Sequence, residues 1–98
     1  MRDLDSDAVI AEIRAEIAAA DRELVELVNR RVALVERMRG RKEEIGAGYL
    51  DPAREQRMLD YVAGLNGGPV SQEGLAGLYR RVVALCKQEV YGLKDEGA

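Results

Sequence analysis

Residues 6–44 read SDAVIAEIRAEIAAADRELVELVNRRVALVERMRGRKEE, and their periodicity decides the architecture. Apolar side chains recur at Ile10, Ile13, Ile17, Ala20, Leu24, Leu27, Leu34 and Met38. The steps alternate between three and four residues, which is the period of a helix seam and not of a strand. Asp5, Ser6 and Asp7 are N-cap candidates, and no Pro or Gly intervenes before Gly40. Gly40 weakens the run without ending it, and Gly46-Ala47-Gly48 supplies the stop. At ~1.5 Å per residue such a helix is ~55–60 Å long. That is about twice the width of a compact domain of this size. Two shorter helices cannot cover its stripe, so a second chain is expected to.

Outward from this helix, the chain shows two more. Asp51-Pro52 is an N-cap followed by Pro at the first helical position, where a missing N–H costs nothing. That helix carries Met58, Leu59, Val62 and Leu65 and stops at Asn66-Gly67-Gly68-Pro69. Ser71 caps a third, with Leu75, Leu78, Tyr79, Val82, Val83, Cys86, Val90 and Leu93 on one face. Nothing reads as a strand or an internal repeat. The expected fold is all-α: a single domain over 1–98, a three-helix subunit with a very long first helix, paired as an intertwined homodimer.

Composition narrows the chemistry. With no Trp, no Phe and four Tyr, the core must be aliphatic. A net charge of −3 argues against nucleic acid as a partner, because neutralising phosphates needs a basic face. The absence of His and a single cysteine, Cys86, argue against a bound metal, a disulfide framework or a cysteine–histidine catalytic pair. No cofactor is expected. No apolar run approaches the ~20 residues of a membrane span, and the acidic start MRDLDSD lacks a signal core, so the expectation is a cytoplasmic protein away from membranes.

The charges inside the stripe carry the functional signal. Continuing the alternation from Leu24 and Leu27, the next seam position is Arg31. A guanidinium placed there must be paired or receive an anion, since burying it alone costs several kcal/mol. Lys42 falls about 20° from Arg31 around the helix. Arg14 lies about 100° away and ~25 Å along the axis, too far to serve the same pocket from one chain. It could serve the partner's pocket in an antiparallel pair. Asp51, Arg54 and Glu55 crowd into one turn as D-P-A-R-E. The plain alternative is that Arg31 snorkels or meets a Glu, that Arg14 and Lys42 are solvated, and that Asp51 merely caps while Arg54 and Glu55 decorate the surface.

Taken together, IRAEIAAADRELVELVNRR at 13–31, Arg41-Lys42 and DPARE at 51–55 resemble the all-helical, type II chorismate mutase family. The resemblance runs from Ile13 to about Val90. It implies a homodimer with two active sites, each completed by the first helix of the other subunit. It implies the rearrangement of chorismate to prephenate, in the shikimate pathway to aromatic amino acids. Arg14 from the partner and Arg31 would bind the carboxylates of this small dicarboxylate, with help from Arg54, and Lys42 would bridge a carboxylate and the ether oxygen. Asp51 and Glu55 would lie at the ring hydroxyl.

One position departs from the family pattern. A Gln or Glu that faces the ether oxygen is expected four residues after a small side chain. Cys86 fits the small position, and Val90 occupies the other. Gln88 and Glu89 lie about 200° and 100° from Val90 on a regular helix, so only a local shift would bring Glu89 into place. The resemblance leaves room for isochorismate pyruvate lyase chemistry, for a mutase acting on 4-amino-4-deoxychorismate, for a mutase that needs a shikimate-pathway partner enzyme, and for a non-enzymatic helical binding or regulatory module.

Overall fold

The computed structural model describes residues 6–48 and 51–92, so the N-cap candidate Asp5 and the apolar Leu93 lie outside the described residues. Three helices follow one another: α1 (Ala8–Ile45), α2 (Pro52–Leu65) and α3 (Gln72–Tyr91). The chain divides into two compact units, Met1–Arg31 and Val32–Ala98.

Each helix end is set by local chemistry. Of the described N-cap candidates for α1, Asp7 caps the helix. Its Oδ1 accepts from the N–H groups of Val9 at 2.9 Å and Ile10 at 3.1 Å, satisfying donors that the first turn leaves open. Helix α1 continues through Gly40 and ends at Gly46, whose φ of +69° suits a residue without Cβ. There the Ala47 N–H donates to the Lys42 carbonyl at 2.8 Å and the Gly46 N–H to the Glu43 carbonyl at 3.3 Å. That is the pattern of a Schellman cap. Helix α2 starts as the dipeptide predicts, with Asp51 Oδ1 accepting from the Arg54 N–H at 3.0 Å. Helix α3 starts with Ser71 Oγ accepting from the Gly74 N–H at 3.0 Å and ends on Gly92 at φ +71°.

The α2–α3 turn is held by two amides that no local pattern announces. Asn66 Nδ2 donates to the Val70 carbonyl at 3.0 Å and to Gln72 Oε1 at 2.9 Å, while its Oδ1 accepts from the Gly68 N–H at 2.9 Å. Gln72 Nε2 reaches back to the Ala63 carbonyl at 2.8 Å, tying the start of α3 to the end of α2. Asn66→Ala removes the hub of this set. The expected loss is about 1–2 kcal/mol, because several exposed hydrogen bonds disappear together and each contributes only modestly. Urea unfolding should show a lower midpoint with an unchanged slope.

Helices α2 and α3 pack against each other. Among the described residues only Cys86 and Val90, both on α3, are buried, at 3% and 9% exposure. Leu78, expected on the same face, is exposed. The helix wheel explains the difference, since Leu78 lies about 120° from Val90. In the first unit, Ile13, Ile17, Leu24 and Leu27 of α1 are all exposed; in the second, so are Leu34 and Met38. These six residues of the seam read from the sequence are therefore open to solvent in this chain. Among the described residues no helix is long and apolar enough to cross a membrane.

Candidate functional site

The eight expected site residues divide between the two units. Arg14, exposed, and Arg31, half-buried, lie in the first. Lys42, Asp51, Arg54, Glu55, Cys86 and Val90 lie in the second.

In the second unit the cations of the last turns of α1 behave in two ways. Arg39 donates from Nε to Glu36 Oε1 at 3.1 Å and from Nη1 to Glu43 Oε1 at 3.3 Å. The Glu36 hydrogen bond and charge, then the Glu43 charge, hold Arg39 above the usual guanidinium pKa, and Tyr91 at the end of α3 adds to the effect. Arg41 Nη1 donates to Glu44 Oε2 at 3.1 Å. Such one-turn pairs are the ordinary way a helix surface matches its charges. Lys42 is different. It is half-buried, yet its ammonium makes no ion pair with any described residue. Its backbone is fixed by the Schellman cap at its own carbonyl. The result is a cation at a capped helix end in a chain whose net charge is −3.

At the head of α2 each residue of the D-P-A-R-E turn takes a distinct part. Asp51 is exposed and caps the helix, as the plain alternative holds. Arg54 is exposed and makes no ion pair with a described residue. Glu55, half-buried, forms an ion pair with Lys87 of α3. Sequence reading missed Lys87. The signal was present: Lys87 lies about 40° from Val83 and 60° from Val90 on the helix wheel. It is a charge set against the apolar face of α3, much as Arg31 interrupts that of α1.

Helix α3 is uninterrupted to Tyr91, so no local shift brings Glu89 round. Gln88 and Glu89 are exposed while Val90 faces inward. The position where a donor was expected is therefore apolar and buried. Cys86, one turn earlier, is buried at 3% exposure.

Lys42 and Arg54 thus stand at capped helix ends without an ion pair to a described residue. The chain belongs to the chorismate mutase type II family, whose model matches residues 13–91. Two solved structures of the chorismate mutase from Thermus thermophilus are similar to it. Form I is 30% identical with a TM-score of 0.76, over 79% of this chain and 96% of that one. Form II is 27% identical with a TM-score of 0.80, over 88% and 98%. The bifunctional chorismate mutase/prephenate dehydratase of Aquifex aeolicus (strain VF5) is 31% identical over 81 residues, 79% of this chain. The match spans only 22% of that longer protein.

Proposed function

We propose that this chain converts chorismate to prephenate as a homodimer whose two sites are each built from both subunits. The observation that carries the reading is Lys42, half-buried, cap-fixed and without an ion pair among the described residues. In the rearrangement an ether C–O bond breaks as a C–C bond forms within one molecule. No nucleophile, metal or proton relay is required, which agrees with a chain that has no His.

The protein then has two tasks. The first is to hold both carboxylates so that the enolpyruvyl arm lies over the ring, which removes rotational freedom before the barrier. Arg31, Arg54 and the partner subunit's Arg14 serve this. The second is to meet the negative charge that grows on the ether oxygen in the transition state, the only kind of contact that raises kcat. Lys42 serves this alone among the residues named, because Val90 offers no donor. Asp51 and Glu55 serve the ring hydroxyl. Pairing of two α1 helices would cover Ile13, Ile17, Leu24, Leu27, Leu34 and Met38, at about 1 kcal/mol for each side chain taken from half-exposed to buried.

The direct test follows the loss of chorismate's diene absorbance on adding purified protein, with the product identified by chromatography. Prephenate formed at an enzymatic rate is the expected outcome. No turnover, alone or with a shikimate-pathway partner enzyme added, overturns the reading.

A further inference from the structure

Lys87 is a largely covered charged side chain of the second unit that the proposed mechanism leaves unused. It follows the most buried of the described residues, Cys86, and its Nζ pairs with Glu55 Oε1 across the α2–α3 contact. Both side chains are about two-thirds covered, at 30% and 34% exposure. The pair is thus less screened by solvent than the one-turn pair of Arg41 and Glu44, at 70% and 68%.

The electrostatics at the head of α2 follow from this. Two carboxylates stand there one turn apart, Asp51 and Glu55. By themselves they would favour a cationic ligand group. Asp51, however, faces the positive end of α2 and accepts the Arg54 N–H. Glu55 is matched by the Lys87 ammonium. Neither negative charge is left uncompensated. A carboxylate paired through one oxygen still has lone pairs for a neutral O–H donor. An ammonium arriving at the same carboxylate would instead share it with Lys87 and meet like charge.

We infer that Lys87 is a specificity-determining residue acting through Glu55, which sets the site for a substrate with a ring hydroxyl and against one with an ammonium in its place. The inference rests on the proposed position of Glu55 at the ring hydroxyl. Discrimination here comes from a built-in repulsion as much as from attraction.

The experiment compares kcat/KM for chorismate and for 4-amino-4-deoxychorismate in the wild-type dimer and four variants: Lys87→Met, Lys87→Arg, Glu55→Gln and the Lys87→Met/Glu55→Gln pair. Lys87→Met keeps the aliphatic stem and removes the charge. It should raise the amine-to-hydroxyl ratio by about tenfold or more, the scale on which a nearby like charge acts. Lys87→Arg should keep the wild-type ratio. Lys87→Met placed in a Glu55→Gln background should leave that background's ratio unmoved, because the lysine acts through the carboxylate. Where the methionine variant folds poorly, Lys87→Gln should shift the ratio in the same direction. An unchanged ratio in a folded, active Lys87→Met or Lys87→Gln enzyme overturns the inference alone. A wild-type protein without activity on chorismate overturns the proposed function and the inference with it.

Discussion

Lys42→Ala should lower kcat by about 10²–10³-fold, the effect of deleting one preorganised contact to a developing oxyanion, while the folded state is left intact. The large effect on rate follows from Val90. Where a second donor would share the ether oxygen's charge, this chain has a buried valine, so nothing named in the site stands behind Lys42. The small effect on stability follows from the helix end. The hydrogen bond that closes α1 at this residue uses its backbone carbonyl, at 2.8 Å from the Ala47 nitrogen, and alanine keeps that carbonyl. No side-chain ion pair with a described residue is lost, and alanine is the better helix former. Rate measurements and a thermal melt on the same preparation decide between this account and a surface role for Lys42. A variant with wild-type kcat would show that the ether oxygen is stabilised elsewhere.

Mixing two inactive variants should regenerate activity. Arg14→Ala and Arg31→Ala homodimers are each expected to be nearly inactive on chorismate, because every site in either lacks one carboxylate anchor. In a heterodimer the two defects fall together in one site and leave the other complete. Random exchange in equal amounts should therefore recover about a quarter of wild-type activity, since half the dimers are mixed and each has one good site. Activity is measured after subunit exchange has been verified by mass. Exchange without recovery would place Arg14 in its own subunit's site or outside any site. The geometric reason to expect sharing is the length of α1: Arg14 and Arg31 are ~25 Å apart along one helix, beyond the reach of a single small dicarboxylate.

The parts of the molecule legible in the sequence are those decided within one or two helical turns. Asp51-Pro52, Ser71 and Gly46 mark helix ends because a cap is a contact between residues three to five apart, and the residue types that make it are few. The three-helix order and the length of α1 follow from those caps and from the seam. The ordered set of cations and acids from Arg14 to Glu55 likewise sits on a predictable scaffold, so its resemblance to the chorismate mutase family can be read directly.

Other features depend on which helix faces which. Asn66 was legible only as a loop residue, whereas its role as hub of the α2–α3 turn needs Gln72 and Val70 brought to it. Leu78 and Val90 lie about 120° apart on α3, and the packing of α2 on α3 selects the side that carries Val90 as the buried one. Lys42 and Lys87 are both lysines near apolar faces. Tertiary placement leaves the first without a carboxylate partner among the described residues and gives the second Glu55. Helical periodicity determined the seam, the residue types at its breaks marked the caps, and the family resemblance supplied the candidate site residues. The charge balance around those residues was decided by contacts between segments far apart in the chain, because the strength of an ion pair depends on distance and solvent exposure.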